Sequence, residues 1–576
     1  MRRYPIRSQS EDSSSSFNAF ENFARLTLSE HVAYKRRICM LSTVVCLKMS
    51  PLTQKLPKFI AFLLLVVALP NYNTAEAGLT VACDLAADND DCMESAMHPD
   101  FSTKRMHTNK AYSEPEFTSD FWLELSKKFV RQQASAQHNK RVAKNVILFL
   151  GDGMGLTTFT AARNLLGGPE KQLSFEKFPY TGFSKTYSVN TMVPDSAVTS
   201  TAYLCGVKGN HGTIGVNGRV ERTNCAGMAD TDNHVHSIAK WALDAGKSAG
   251  LVTTTRVTHA SPAGVYAHVA DREWENDAVL ADDCGADSGL ADIAQQLIHG
   301  EVGKQLKVIF GGGKREFLDT QFFKKGKRQD GRNLIEEYLQ QSSDNAYVET
   351  RDELLSLNLN SYKRVLGLFE RSHLEYHLDA ADTQPTLKEM TVRAIEMLQK
   401  DDNDFFLFVE GGRIDTAHHS NMAEYALDET VEFSKAIEAA RELTSEEDTL
   451  IVVTADHSHG FSYAGYQDRD SDIFDVAPSE GTDDLPYLTL SYANGPGFED
   501  YYNTNKYKRR NPTKVRPDVD TFPATAPLES ATHSGEDVAV FASGPWSHLF
   551  TGVYEQNTIP HMMAYAACVG DGLKAC

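Results

Sequence analysis

The sequence has little positive charge for its length. Of its 576 residues, 57 are Lys or Arg and 78 are Asp or Glu, so the formal net charge is -21. Such a chain repels a phosphate backbone, which argues against nucleic acid as a general partner. A small phosphate ester in a locally positive pocket is not excluded. Hydrophobic residues make up 41% and charged residues 23%, as expected of a globular protein with a real core.

Long apolar runs are also scarce. The longest, FIAFLLLVVALP at 59–70, is too short for a comfortable transmembrane helix. Lysines precede it and an A-x-A pattern follows at 75–77, which predicts a signal peptide over 49–77 that is cleaved after Ala77. Residues 1–48 are Ser-rich and basic and are predicted to form a disordered extension. Translation from Met49 is favoured over a weak signal anchor, because it puts the apolar run where a signal peptide belongs.

Cysteine is sparse, with nine residues, of which Cys39 and Cys46 precede the predicted cleavage site. Seven remain, an odd number, and disulfides are the default in a secreted chain. Unpaired thiols stay open as the other interpretation. The pairs suggested are Cys83–Cys92, Cys225–Cys284 and Cys568–Cys576, which leaves Cys205 as a free, buried thiol.

Continuous apolar runs alternate with helical patterns along most of the chain. This alternation is typical of βαβ units, and we expect an α/β fold with a central, mostly parallel sheet covered by helices on both faces. The runs that we predict to be strands are 145–150, 248–253, 307–310, 404–409, 449–454 and 538–542.

Acidic and histidine side chains follow the ends of these strands, where ligands bind in parallel sheets. Each one alone has an ordinary explanation, such as a turn former, a surface histidine or a loop salt bridge. Asp415 and His419 are four residues apart and would share one face of a helix, with His418 pointing elsewhere. Together such groups suit Zn²⁺, and the all-oxygen donors among them suit Mg²⁺. The residues concerned are Asp152, His259, Ser261, Glu410, Asp415, His419, Asp456, His457, His459 and His533.

Ser196 lies in PDSA at 194–197, before a run of small residues that is predicted to be helical. A serine there is most often a helix cap, yet the same position could present a nucleophile where anions bind. Arg272 could supply a planar fork for two phosphate oxygens. Its ordinary role would be a surface arginine paired with Asp271 or Glu273.

Six long stretches span most of residues 115–576: NVILFLGDGMG, VPDSAVTSTAYLCGVKGN, AGKSAGLVTTTRVTHASPAGVYAH, FFLFVEGGRID, TSEEDTLIVVTADHSHGFSYAGY and THSGEDVAVFASGP. In these stretches, and in their order along the chain, the sequence resembles an alkaline phosphatase of the animal type.

The resemblance implies hydrolysis of phosphate monoesters through a phosphoserine at Ser196, at a site with two zinc ions and one magnesium ion. It makes Asp415, His419 and His533 ligands of the first zinc, and Asp456, His457 and Ser196 ligands of the second. Asp152 would bridge toward the second zinc and the magnesium, whose site Ser261 and Glu410 complete. It further implies that Arg272 clamps the phosphate, that Asp195 orients Arg272, and that His259 and His459 lie beside the metals.

Three features depart from the family pattern. Thr416 stands where relatives usually carry His or Lys, so we expect weaker product retention and an altered pH optimum. Phe369-Glu370 match only part of a calcium site, with no counterpart for its other acidic ligands around 314–325 or 379–386, which makes calcium doubtful. The chain stops at Cys576 without the apolar tail that relatives exchange for a lipid anchor, so we expect a secreted enzyme without an integral membrane span, or one tethered by its N-terminus.

The catalytic domain is expected to cover 78–576, with a crown insertion at about 466–530 whose composition predicts a long loop. The resemblance also implies a homodimer. Two other functions stay open: a diesterase or sulfatase of the same metal-dependent superfamily, and a binding protein without catalytic activity.

Overall fold

The computed structural model describes residues 114–400, 403–503 and 508–576. These residues form nineteen strands, ten of which make up a central sheet. The strands are β1 (Asn145–Gly151), β2 (Tyr180–Lys185), β3 (Ser248–Arg256), β4 (Val308–Gly312), β5 (Asn345–Val348), β6 (Arg364–Leu368), β7 (Phe405–Gly411), β8 (Thr449–Ala455), β9 (Ser458–His459), β10 (Phe461–Tyr463), β11 (Val476–Glu480), β12 (Pro486–Leu488), β13 (Leu490–Gly495), β14 (Tyr502–Asn503), β15 (Lys508–Arg509), β16 (Ala524–Pro527), β17 (His533–Ser534), β18 (Val538–Ser543) and β19 (Gly552–Glu555).

The order of strands in the large sheet is β19-β2-β18-β8-β1-β7-β3-β4-β6-β5. Of these strands only β18 runs antiparallel to its neighbours, β2 and β8. The predicted mostly parallel α/β sheet is therefore confirmed. All six predicted strands belong to it, and β2, β5, β6 and β19 are additional.

The α-helices connect and cover these strands. They are α1 (Ser119–Ser135), α2 (Leu156–Ala162), α3 (Ser196–Cys205), α4 (Cys225–Ala229), α5 (Ile238–Asp244), α6 (Ala260–Ala263), α7 (Asp277–Cys284), α8 (Ile293–His299), α9 (Leu334–Gln340), α10 (Arg351–Ser356), α11 (Leu387–Gln399), α12 (Arg413–His419), α13 (Ala423–Glu442), α14 (Gly497–Tyr501), α15 (Pro512–Val515) and α16 (Ile559–Ala567).

The core has two layers, one on each face of the sheet. Along β1, Leu148 and Leu150 pack into one layer with helices α5 and α8, whereas Ile147 and Phe149 pack into the other with α11 and α13. Because successive side chains of a strand point to opposite faces, a strand buried on both faces needs the continuous apolar run that the sequence shows.

Two regions differ from expectation. Helix α1 is amphipathic in sequence and has Thr118 as its N-cap, yet none of its residues is buried. Residues 466–530 are not a plain loop. They contain the hairpin of β11 and β12 and contribute two strands to a small sheet of order β10-β13-β16.

Two of the predicted disulfides are present, Cys225–Cys284 and Cys568–Cys576. Cys205 is free and buried, as predicted. The pair Cys83–Cys92 falls outside the described residues, as do the predicted extension at 1–48 and signal peptide at 49–77. Within the part of the chain that is described, no helix is both long and apolar enough to cross a membrane.

Candidate metal and phosphate site

Ser196 is the first residue of α3, and its side chain is buried at the carboxyl end of the sheet. Asp195 caps this helix, with its carboxylate accepting from the backbone N–H groups of Ala197 and Val198. The Ser196 hydroxyl lies 3.3 Å from Asp152 Oδ1 and 3.2 Å from His457 Nε2. The helix N-terminus therefore presents this hydroxyl beside groups that follow β1 and β8, at a place that favours anions.

Asp152, Asp456 and His457 form the first of three groups whose ligand atoms could hold one metal ion. All three side chains are fully buried. The backbone N–H groups of Gly153 and His457 donate to Asp456 Oδ1 at 2.9 and 2.8 Å and fix its rotamer. The second carboxylate oxygen of Asp456 faces His457 Nε2 at 3.1 Å.

Asp415, His419, His459 and His533 form the second group. Helix α12 places Asp415 and His419 on one face, with Asp415 Oδ2 3.3 Å from His419 Nε2. His459 and His533 come from the paired strands β9 and β17, which bring them opposite each other. His459, predicted only as a neighbour of this site, lies with its Nε2 2.6 Å from Asp415 Oδ1.

The tautomers of this second group follow from their backbone contacts. His419 Nδ1 lies 2.6 Å from the carbonyl oxygen of Ala531, and His533 Nδ1 lies 2.9 Å from that of Pro194. A carbonyl can only accept, so each Nδ1 carries a proton. When both imidazoles are neutral, the two Nε2 atoms face each other, 3.0 Å apart, with their lone pairs turned inward. A cation between them would satisfy both, as is usual for metal-binding imidazoles.

Asp152, His259 and Glu410 form the third group. Glu410 is the last residue but one of β7, and Thr253 and Thr255 of the neighbouring β3 donate to its Oε2. Its other oxygen, Oε1, is buried and has no hydrogen-bond partner among the described residues. Ser261 joins the group, with its hydroxyl 3.4 Å from Asp152 Oδ2.

The carboxylates of the three groups are buried close together, and the raised pKa values of three of them indicate that the site lacks positive charge. Burial, followed by repulsion from Asp456, Asp415 and Glu410, raises the pKa of Asp152 well above its usual range. Burial also raises the pKa of Asp456 to about 6 and that of Glu410 to about 7. Burial alone would lower the pKa of His419, but the charge of Asp415 and the hydrogen bonds to Asp415 and Ala531 together raise this pKa to about 9. Carboxylates and imidazoles so arranged fit bound divalent cations.

Arg272 has its guanidinium held at both ends, on one side by Asp195, the residue before Ser196. Its Nη1 donates to Asp195 Oδ2 at 3.0 Å, and its Nη2 lies 3.1 Å from His259 Nε2. Because an arginine can only donate, His259 accepts through Nε2. Burial, and then the charge of Arg272, lower the pKa of His259 well below its usual range, so this imidazole is neutral. Asp195 thus caps α3 and fixes the arginine with one carboxylate.

Of the two ordinary partners considered for Arg272, Asp271 is not one and Glu273 is a weak one. Asp271 is paired with Arg222 instead, through two hydrogen bonds of 2.8 and 2.9 Å. Glu273 lies 3.8 Å from Arg272 Nε, and its side chain is 62% exposed, so this contact is weak.

Two residues near the site behave as their sequence positions indicate. His418 points away from the metal groups, and its imidazole contacts the hydroxyls of Thr158 and Tyr492. Thr416 is half-buried on α12, and its hydroxyl donates to the Arg413 carbonyl at 3.0 Å. The contacts of Thr253 with Glu410 and of Arg222 with Asp271 were not predicted from the sequence. A threonine inside a strand and an arginine in a polar loop have no local pattern that indicates such a contact.

Comparison with known proteins identifies what this chain is similar to. The alkaline phosphatase family model matches residues 143–569. A membrane-bound alkaline phosphatase of Bombyx mori is 45% identical over 512 residues, which are 84% of this chain and 91% of that protein. The tissue-nonspecific alkaline phosphatase isozyme of Homo sapiens is 44% identical over 492 residues, 81% of this chain and 92% of that protein.

Solved structures share the fold at lower identity. The alkaline phosphatase of Thermus thermophilus is 22% identical, with a TM-score of 0.56, over 76% of this chain and 94% of that structure. The alkaline phosphatase of the Antarctic bacterium TAB5 is 24% identical, with a TM-score of 0.53, over 74% of this chain and 99% of that structure.

Proposed function

Because the chain belongs to the alkaline phosphatase family, we propose that it hydrolyses phosphate monoesters through a phosphoserine formed on Ser196. One observation carries this proposal. The buried Ser196 hydroxyl at a helix N-terminus lies within 3.3 Å of both Asp152 and His457, and its neighbour Asp195 holds the guanidinium of Arg272. These are the parts that phosphoryl transfer needs: a nucleophile, candidate metal ligands and a phosphate clamp.

The proposed cofactors are two Zn²⁺ and one Mg²⁺. The imidazole-rich group of Asp415, His419 and His533 and the group of Asp456, His457 and Ser196 suit zinc. Asp152, Ser261 and Glu410 offer oxygen donors, which suit magnesium. When bound, these ions supply the positive charge that activates hydroxyl groups and neutralises the phosphate. Calcium is not part of the proposal.

In this proposal, Ser196 Oγ attacks phosphorus and the ester oxygen departs with the alcohol. Asp152 Oδ1 and His457 Nε2, which face the Ser196 hydroxyl, would hold a cation that lowers the pKa of this hydroxyl, so that its proton would pass to water. Arg272 holds two non-bridging oxygens through its planar fork, while Asp195 and His259 keep that fork in place. Water then cleaves the phosphoserine from the opposite side and releases phosphate. Because the clamp grips only the phosphate, the leaving group should matter little.

Further proposals concern the whole chain. We propose a signal peptide at 49–77, after an extension at 1–48, and a secreted catalytic domain at 78–576 with a crown at about 466–530. A homodimer is also proposed, by analogy with the family. These proposals rest on composition and family resemblance.

The decisive experiment compares hydrolysis of a chromogenic phosphate monoester, a phosphodiester and a sulfate ester by the zinc- and magnesium-loaded protein. We expect the monoester to be by far the best substrate. A preference for the diester or the sulfate would assign another reaction of the superfamily, and no activity would favour a binding protein.

A substitution tests the nucleophile. Ser196→Ala should abolish the acid-stable phosphoserine that the parent protein forms with radiolabelled substrate. Ser200→Ala is the matched control, since Ser200 is buried on the same helix but donates to the Ala197 carbonyl at 2.7 Å. If Ser196→Ala still formed phosphoserine, the assignment of the nucleophile would be wrong.

A further inference from the structure

The backbone that carries Arg272 is tied to a neighbouring turn at Gly212. The Arg272 N–H donates to the Gly212 carbonyl at 2.9 Å, and the Gly212 N–H donates to Asp195 Oδ1 at 2.9 Å. The backbone of Gly212 therefore contacts both the residue that is proposed to bind phosphate, Arg272, and the carboxylate that orients its side chain, Asp195.

Arg222 covers this turn. Gly212 has a φ of +82°, and a Cβ at this position would meet Arg222 Cδ at 2.6 Å and Nε at 2.7 Å. The Arg222 side chain thus lies directly against the Gly212 backbone, in space that only a glycine leaves open. The segment is fixed further by the Thr223 N–H, which donates to the Ala270 carbonyl at 3.0 Å.

Arg222 also supplies a charge partner for the residue next to Arg272. Asp271 is buried, and Arg222 Nε and Nη2 donate to its two carboxylate oxygens at 2.8 and 2.9 Å. Asp271 Oδ1 in turn accepts from the Glu273 N–H at 3.0 Å and shapes the turn around Arg272. Without Arg222, a buried carboxylate would be left unpaired beside Arg272 and would compete with phosphate for its guanidinium.

From these contacts we infer that Arg222 is a positioning residue for the phosphate clamp, acting on Arg272 through Asp271 and Gly212. The inference rests on the proposed function, because it assigns phosphate binding to Arg272. Arg222 itself does not need to touch substrate: its bidentate pair with Asp271 has already committed the forked face of its guanidinium.

The test measures KM and kcat for a chromogenic monoester, and the affinity for inorganic phosphate by calorimetry, in the metal-loaded protein. Arg222→Ala should raise KM and weaken phosphate binding about tenfold, with a much smaller change in kcat, as expected when a clamp is misplaced. Arg219→Ala is the control, because Arg219 is exposed and makes no ion pair within the described residues. It should change neither value by more than about twofold.

The double variant Arg222→Gln with Asp271→Asn keeps a neutral hydrogen-bonded pair and removes the orphaned charge. It should recover a large part of the phosphate affinity that Arg222→Ala loses. Circular dichroism and thermal unfolding confirm that each variant is folded. Recovery in the double variant separates positioning of the clamp from a general loss of stability.

Unchanged KM and phosphate affinity in a folded Arg222→Ala variant would overturn the inference, as would a double variant no better than the single one. If the parent protein hydrolysed no monoester and bound no phosphate, the proposed function would fail instead. The two failures are therefore distinguishable.

Discussion

The Asp195 carboxylate connects the helix that begins at Ser196 to the arginine that is proposed to bind phosphate. Its carboxylate accepts from two N–H groups of α3, from the Gly212 N–H and from Arg272. Burial, the largest single effect, would raise the pKa of Asp195, but the charges of Arg272 and His211 and the hydrogen bonds from Gly212 and Arg272 together lower it. The residue therefore stays ionised, so it serves as a fixed acceptor rather than as a base for its neighbour Ser196.

Thr416 offers a test of product binding at the scale of one residue. The family usually has His or Lys at this position, contacting phosphate through water, and the threonine hydroxyl is instead engaged with the Arg413 carbonyl. Thr416→His should restore that contact, so inorganic phosphate should inhibit more strongly and the pH optimum should shift.

The measurement is the inhibition constant for phosphate across a range of pH, which should fall severalfold in Thr416→His. Thr416→Ser keeps the hydroxyl and serves as the control, with inhibition close to that of the parent. Equal inhibition in all three proteins would show that position 416 does not influence product retention.

Among the elements, the predicted strands are those buried on both faces. β1 and β8 are almost wholly buried along their length, which gives the continuous apolar runs that the sequence displays. β2, by contrast, alternates between buried and partly exposed residues, and β5 has only four residues. Such short or half-exposed segments resemble loops in sequence, so pairing with neighbours in the sheet decides that they are strands.

Helix α13 carries a buried acid that yields a prediction about pH. Glu429 is 5% exposed, its Oε1 accepts from the His377 N–H at 2.8 Å, and burial raises its pKa from 4.5 to about 7. The folded protein therefore holds this proton more tightly than the unfolded chain does, and the free energy of unfolding falls as the pH rises from about 4.5 to about 7.

Glu429→Gln can keep the hydrogen bond and cannot ionise. The variant should gain stability relative to the parent between pH 5.5 and pH 8, by on the order of 1–2 kcal/mol. Thermal unfolding at both pH values measures this gain. Glu438→Gln, at an exposed site on the same helix, is the control and should show no such trend. A constant difference at both pH values would contradict the assignment.

The whole molecule gathers acids from distant segments at one edge of the sheet. β1, β7 and β8 are parallel neighbours, so Asp152 meets Glu410 and Asp456 although it lies far from both in the sequence. β18 runs antiparallel and therefore brings the preceding segment, with His533, to the same edge. The charge gathered there must be compensated for the fold to be stable.

Metal removal should therefore destabilise the protein, and more so at high pH. Below the raised pKa values of Asp456 and Glu410, about 6 and about 7, protonation relieves part of the repulsion in the metal-free protein. We expect a chelator to lower the melting temperature more at pH 8.5 than at pH 5.5, and zinc with magnesium to restore it. Calorimetry measures both. A melting temperature that a chelator leaves unchanged would count against bound metals.

The sequence by itself determined the α/β class, the six core strands, the helix that follows Ser196 and the polar residues at the strand ends. These features depend on local sequence, because the periodicity of apolar residues, the capping residues and the helical spacing of polar residues are each set by residues close together in the chain. The family resemblance added the roles of the site residues as expectations, and these roles remain proposals.

Only the tertiary structure decided which side chains contact each other. It paired Asp271 with Arg222 rather than Arg272, brought His459 within 2.6 Å of Asp415, and aimed the Nε2 atoms of His419 and His533 at each other. No local pattern encodes such pairings, because they depend on strand order and on loops that close over long sequence distances. Side-chain geometry and burial then set the charges that make the site work.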